Sequence, residues 1–147
     1  MSLKERLSED LKLSMKEKDT IKKNTVQSMR AAILQVEKDK LTTLDDDGII
    51  EVIAKELKKR KDALPDYEKS GRQDLIDGLK REIEIITGYL PSQLSHDELD
   101  EIVKAAVDAT GASSMKDMGK IMQEVMPKIK GRADGRMVND LAKKYLS

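Results

Sequence analysis

The sequence predicts an all-α protein, and three observations support that fold class. Apolar residues recur with the 3.6-residue period of amphipathic helices, and no stretch alternates apolar and polar residues for long enough to form a strand. Glu, Lys, Leu, Ala, Met and Asp dominate the composition, and only three prolines occur in 147 residues. Helix start and stop signals then divide the chain into about four helices in residues 1–90 and about three in residues 95–147.

The first four helices are predicted from apolar stripes that begin at Leu3, Ile21, Ile49 and Leu75. Three aspartates at 45–47 precede the third helix and suit its positive N-terminal end. Pro65 lies inside the pattern of that helix, so we expect a kink or a break near residue 64. Short connections allow the four helices to close an antiparallel bundle.

The clearest boundary in the chain lies at residues 88–95. Gly88 is typical of a helix stop, and Pro91 prevents the helix from continuing. Ser95 and Glu98 have the spacing of a capping box, which opens the next helix. The sequence therefore predicts an N-terminal helical bundle over residues 1–90 and a small three-helix domain over residues 95–147.

The three C-terminal helices are delimited by similar signals. The fifth helix ends at Thr110 and Gly111, and Ser114 opens the sixth with a second capping box. The sixth carries a methionine-rich stripe, in which we expect Met118 and Met122 to be core residues. Pro127 is expected to end it, and Asp134 is a good N-cap for the seventh helix.

The composition excludes several function classes. The chain has no Cys and one His, which excludes disulfides, thiol catalysis, thiolate metal sites and a catalytic His pair within one chain. It has no Phe or Trp and only three Tyr, which removes the aromatic platforms on which base-stacking modules depend. Ser113 and Lys116 match a Ser-x-x-Lys nucleophile motif, but its partner motifs are absent and helix capping explains the serines. We expect no catalytic residue, no metal site and no cofactor.

The N-terminal segment and the hydropathy indicate the expected location. Residues 1–6 lead directly into charged amphipathic sequence without the apolar core of a secretory signal, and no run of 18 apolar residues exists. On these grounds we expect a cytoplasmic protein that has no membrane partner.

Charge is balanced over the chain but not along it. The 28 basic and 28 acidic residues give zero net charge, yet residues 116–147 hold eight basic and four acidic side chains. Lys128, Lys130, Arg132 and Arg136 fall within nine positions, in and beside a glycine-containing loop that precedes a helix. Lysine and arginine recognise phosphates at short range, and the N–H groups of a helix N-terminus can add donors. This segment is therefore a candidate phosphate-binding loop.

Several stretches together resemble the GatB/YqeY family. They are residues 89–95 (Tyr-Leu-Pro-Ser-Gln-Leu-Ser), residues 117–122 (Asp-Met-Gly-Lys-Ile-Met), residues 130–138 (Lys-Gly-Arg-Ala-Asp-Gly-Arg-Met-Val) and, upstream, residues 30–33 (Arg-Ala-Ala-Ile). The resemblance runs from end to end and implies an all-helical fold of two parts. Residues 95–147 are similar to the tail domain of the GatB subunit of the Asp/Glu-tRNA amidotransferase. The resemblance implies that this domain helps to grip the body of a tRNA.

We therefore interpret the chain as a stand-alone tRNA-binding, amidotransferase-like accessory protein whose C-terminal domain contacts phosphates of tRNA or another structured RNA. The predicted nucleic-acid-binding residues are Lys120, Lys128, Lys130, Gly131, Arg132, Gly135 and Arg136. Among them Lys130, Arg132 and Arg136 lead, and the two glycines would allow close backbone approach.

Two other functions stay open. The chain could be a component of a glutamine-dependent carbon–nitrogen ligase that amidates tRNA together with other subunits. That label follows only from the resemblance. The amidase triad and the large catalytic domain of the amidotransferase do not fit in this chain, so the chain would need the other subunits for this activity. Alternatively, the N-terminal bundle could bind a protein partner and make the chain a helical adaptor.

Overall fold

The computed structural model describes residues 1–146. Within them the chain forms seven α-helices and no strand, which confirms the all-α class. The helices are α1 (Leu3–Lys16), α2 (Thr20–Lys40), α3 (Asp46–Ser70), α4 (Gln73–Thr87), α5 (His96–Thr110), α6 (Met118–Ile129) and α7 (Gly135–Tyr145), with a 3₁₀ turn at Met115–Asp117 before α6.

Local capping explains where most of these helices begin. The first residues of a helix leave backbone N–H groups without intrahelical partners, and a Ser or Asp side chain just before the helix accepts from one of them. Five helices use this device, at Ser2, Asp19, Asp45, Ser95 and Asp134. Each such cap stabilises its helix by about 1 kcal/mol.

The chain divides into two compact units. The first comprises Met1–Leu90 and the second begins at Pro91. Helices α1–α4 of the first unit pack around a core in which the largest fully buried side chains are Leu7, Val26, Met29, Ile49, Ile53 and Ile86. Helices α5–α7 of the second unit enclose their own core, to which the largest contributions come from Leu99, Val103, Ile121, Val125, Ile129 and Val138.

Two helices continue past the prolines that were expected to interrupt them. Helix α3 runs through Pro65 to Ser70, and α6 runs through Pro127 for two further residues. Both prolines are exposed. The carbonyl groups that lose an N–H donor there can bond to water, which lowers the cost of an internal proline. Of the kink or break expected near residue 64, the break is therefore wrong, as is the predicted end of the sixth helix at Pro127.

The methionines of α6 lie at the margin of the second core. Ile121, Val125 and Ile129 are fully buried at i, i+4 and i+8, and they form the single stripe that α6 turns inward. Met118 and Met122 are half-buried against that stripe, so the expectation that they are core residues is corrected. A run of apolar residues wider than one stripe does not indicate which members are buried.

Tyr89 joins the end of α4 to α1 in the first unit. Its ring is buried, its hydroxyl donates to a carboxylate oxygen of Asp10, and the Arg6 guanidinium lies 4.4 Å from the ring centroid. Arg6 also donates to the carbonyl oxygen of Gly88 at 3.0 Å. Burial, reinforced by the hydrogen bond to Asp10, raises the pKa of Tyr89 above the ordinary range of tyrosine.

None of the helices in the described residues combines the length and the apolar content that a membrane crossing requires.

Replacing Tyr89 with Phe is expected to lower the free energy of unfolding by about 1.5–3 kcal/mol, because it removes a hydrogen bond to a carboxylate. At pH values below the ordinary tyrosine pKa of about 10, the folded and unfolded states both keep the phenolic proton of Tyr89. The difference in unfolding free energy between wild type and Tyr89→Phe is therefore constant there. Above it the unfolded state loses the proton first, so the stabilisation is lost as the pH rises. Urea unfolding of both proteins between about pH 7 and pH 11 measures the effect.

Tyr67→Phe is the control, because Tyr67 lies exposed on α3. A constant difference between wild type and Tyr89→Phe above pH 10 would contradict the assignment.

Candidate nucleic-acid interface

The loop between α6 and α7 is a tight turn with a fixed backbone. Helix α6 ends at the fully buried Ile129, whose carbonyl oxygen accepts from the N–H groups of Arg132 at 2.7 Å and Ala133 at 3.2 Å. Gly131 has a φ of 72°, in the left-handed region that glycine adopts without steric cost. The requirement for glycine at position 131 is therefore conformational.

A second segment holds this turn from outside. The Leu94 N–H donates to the carbonyl oxygen of Arg132 at 2.9 Å, and the Gln93 side-chain amide donates to that of Gly131 at 2.7 Å. In return, Nε of Arg132 donates to the carbonyl oxygen of Ser92 at 2.9 Å. We call these three hydrogen bonds between residues 92–94 and residues 131–132 the loop clamp. The clamp joins two of the sequence motifs, residues 89–95 and 130–138, into one structural element.

The start of α7 follows directly from the turn. Asp134 is the N-cap, as predicted, and its carboxylate accepts from the Arg136 N–H at 3.0 Å. That N–H is therefore already satisfied within the chain. A Cβ atom at Gly135 would lie 3.6 Å from the terminal atoms of Met126, an ordinary van der Waals distance, so packing within the unit leaves room for a side chain at this position.

The predicted phosphate contacts differ in their surroundings. Lys130 and Arg136 are exposed, on the turn and on the first turn of α7, whereas Arg132 is half-buried in the loop clamp. Arg132 also helps to lower the pKa of Glu98, although hydrogen bonds from Ser95 are the main cause. Arg132 positions the loop, whereas the side chains of Lys130 and Arg136 face solvent.

The two remaining lysines of the prediction pair with acidic residues of the same helical segment. Nζ of Lys128 lies 3.2 Å from a carboxylate oxygen of Glu124, and Nζ of Lys120 lies 3.8 Å from a carboxylate oxygen of Asp117. Hydrogen bonds from the backbone N–H groups of Ser113 and Ser114 lower the pKa of Asp117, so this carboxylate stays charged. Lys128 is on the last turn of α6, next to the loop. Lys120 is ten residues from Lys130, about 15 Å along a helix, and the fold does not bring it to the turn.

The same hydrogen bonds place the serine pair at a helix start. The Asp117 carboxylate accepts from the N–H of Ser113 at 3.0 Å and from that of Ser114 at 3.4 Å, which is a helix-start arrangement.

Sequence reasoning missed the residues that build the clamp, Ser92 and Gln93. Ser92 contributes a backbone carbonyl, which no side-chain pattern reveals, and Gln93 has no partner at a helical spacing. The signal that could have found them was their place in the motif at residues 89–95.

Residues 4–146 match the family described as Yqey-like protein. The chain is 28% identical to "Altered inheritance of mitochondria protein 41, mitochondrial" of Pyrenophora tritici-repentis over 131 residues, which are 87% of this chain and 71% of that protein. It is 34% identical to the protein of the same name from Vanderwaltozyma polyspora over 119 residues, 76% of this chain and 64% of that protein. The chain therefore spans only part of the length of these relatives.

A shorter match links the chain to an amidotransferase. Over 48 residues it is 38% identical to a glutamyl-tRNA(Gln) amidotransferase subunit of Thermococcus sibiricus. The aligned part is 33% of this chain but only 8% of that protein.

The names of the first two relatives contradict the predicted cytoplasmic location, because both describe mitochondrial proteins. That prediction is withdrawn. It depended on the lack of an apolar leader and of a spanning segment, and neither feature distinguishes these compartments. Mitochondrial targeting segments are amphipathic rather than apolar.

The loop clamp can be tested through the Leu94 amide proton. Replacing Gln93 with Ala removes the hydrogen bond to Gly131 and is expected to accelerate exchange of the Leu94 amide by about two- to tenfold, the equivalent of one ordinary hydrogen bond. Hydrogen-exchange NMR measures this rate. Gln123→Ala, on the exposed side of α6, is the control and should leave the rate unchanged. Equal exchange in both variants would show that the clamp does not hold the turn.

Proposed function

The chain belongs to the family of Yqey-like proteins, and on that premise we propose that its second unit binds the phosphate backbone of a structured RNA, with tRNA as the first candidate. The feature that carries the proposal is the α6–α7 turn, which presents Lys130 and Arg136 to solvent on a backbone fixed by hydrogen bonds. A fixed turn loses little conformational entropy when its side chains meet phosphates.

The geometry favours recognition by side-chain cations over recognition by a helix N-terminus. The N–H of Arg136 is already taken by the Asp134 carboxylate, whose negative charge also lies at the start of α7. A phosphate would therefore be bound by the lysine ammonium and the arginine guanidinium. Since the chain has no Phe or Trp, base stacking contributes little, and affinity should depend on charge and shape.

The short match to a glutamyl-tRNA(Gln) amidotransferase supports tRNA as the RNA. That protein is named for an enzyme that acts on charged tRNA, and the match covers a small part of it. A small shared part is better suited to RNA binding than to the amidation chemistry of the whole enzyme.

The proposal predicts salt-dependent binding that depends on the loop. With two phosphate contacts, from Lys130 and Arg136, the plot of log affinity against log salt concentration should have a slope of at least about −1.4 to −1.8, and each further contact steepens it by about 0.7–0.9. The Lys130→Glu, Arg136→Glu double variant should bind at least about tenfold more weakly and reduce the slope by about 2. Arg132 is left in place, because reversing its charge would also break the clamp. Fluorescence anisotropy with labelled tRNA at several salt concentrations measures both quantities.

The matched control is Lys12→Glu, Lys16→Glu, which makes the same change in net charge on the exposed side of α1. It should retain most of the wild-type affinity. Equal losses in the two double variants would mean that the loop is not the binding site. If wild type shows no salt-dependent binding to tRNA, the nucleic-acid function is rejected.

A second candidate function is favoured by the same short match. The chain could act with other subunits in glutamine-dependent amidation of charged tRNA. A reconstituted mixture supplied with glutamine and ATP would test this, and amidation that requires this chain would support it.

A further inference from the structure

A cleft lies between α1 and α2 in the first unit. The candidate RNA site belongs to the second unit. Its volume is about 450 Å³, and its lining includes Leu7, Ile33, Leu34 and the side chains of Lys4, Arg30 and Glu37. Leu7 and Ile33 are buried and form the floor, whereas Leu34 on the rim exposes 51% of its surface. The cleft is thus apolar at its base and charged at its edges.

The charges at the edge do not balance. Glu37 accepts from Nζ of Lys4 at 2.5 Å and from the Leu44 N–H at 2.8 Å, and these bonds lower its pKa so that it stays ionised. The Glu37 charge is therefore neutralised by Lys4. Arg30 makes no hydrogen bond or ion pair within residues 1–146. The cleft consequently carries one uncompensated positive charge beside exposed apolar surface.

The end of α2 adds a second exposed apolar side chain. Leu41 caps the helix seven residues beyond Leu34, exposes 92% of its surface and has a φ of 52°. Residues with a Cβ atom adopt this left-handed conformation rarely, and glycine is the usual residue there. Nothing within the described chain covers the Leu41 side chain in return. Leu34 lies on α2 and Leu41 directly follows its last residue, so two exposed apolar side chains stand along the C-terminal half of the helix.

We propose that this cleft binds an acidic amphipathic helix of a protein partner. Apolar side chains of the helix cover Leu34 and Leu41, and a carboxylate pairs with the Arg30 guanidinium, which can hold it through two parallel hydrogen bonds. RNA is the poorer occupant, because a phosphate backbone requires several cations and gains nothing from apolar walls.

The test uses a library of random 16-residue peptides displayed on phage and selected against the whole chain. The selected peptides should carry Asp or Glu together with apolar residues at i, i+3 or i+4 and i+7. Synthetic copies should bind Arg30→Glu and Leu34→Ser about tenfold more weakly, as measured by fluorescence anisotropy. Selection against Arg30→Glu should enrich Lys or Arg in place of the acidic residues. Lys80→Glu and Leu75→Ser, exposed on α4, are the matched controls and should bind like wild type.

Four results would overturn the proposal. The first is a failure to select any peptide, and the second is selection of peptides that have no acidic residue or that bind Leu34→Ser as tightly as wild type. The third is a loss of tRNA affinity in Arg30→Glu as large as that of the loop variant, which would make the cleft an RNA surface. The fourth is concentration-dependent self-association that Leu34→Ser abolishes, which would make a second copy the occupant. Circular dichroism establishes in each case that the variant is folded.

Discussion

The loop clamp is the constraint on which the second unit depends. A three-helix unit of fewer than sixty residues has a small core and little stability to spare. Its helices α5 and α7 both start where the clamp is made, because residues 92–94 lead into the Ser95 cap and residues 131–132 lead into the Asp134 cap. Three hydrogen bonds therefore fix the starting points of two helices. Besides apolar packing, the contacts of Tyr145 and Lys144 with Asp100 link the same two helices further along their length.

Arg132 shows how one residue can be misjudged when it is considered only as a charge. In the sequence it is one of four cations within nine positions, and nothing distinguishes it from Lys130 or Arg136. In the structure its Nε is bonded to Ser92, its carbonyl oxygen to Leu94, and Glu98 is near enough to feel its charge. Arginine suits this position because its side chain offers several donors in a fixed geometry. Its main effect on RNA binding would be to hold its neighbours in place.

The fold was largely predictable because its signals are local. Caps at Ser95 and Asp134, and stops at Gly71, Gly88 and Gly111, involve residues within four positions of one another. Helix α3 does not break at Pro65 and α6 does not end at Pro127, because the cost of an internal proline depends on solvent exposure, which is a tertiary property. The same reason explains Met118 and Met122, since the choice among several apolar residues is made by the neighbouring helices. The clamp itself joins residues almost forty positions apart, and one sequence carries no signal for such a pairing.

Zero net charge is compatible with phosphate binding because positive charge is concentrated locally, with eight basic and four acidic side chains in residues 116–147. Lys120, Lys128 and Lys144 lie within 4 Å of carboxylates of Asp117, Glu124 and Asp100, so that their fields largely cancel beyond the nearest water layers. Asp100 also accepts from the Tyr145 hydroxyl at 2.9 Å, which places this tyrosine in the packing of α5 against α7 and not on a base. The acidic helix α5 thus balances part of the positive charge on α7. Lys130 and Arg136 are exposed, and the clamp holds the backbone of the turn next to them. The net charge of the whole chain averages over these environments. A phosphate within a Debye length of the turn responds instead to the charges that are nearest to it.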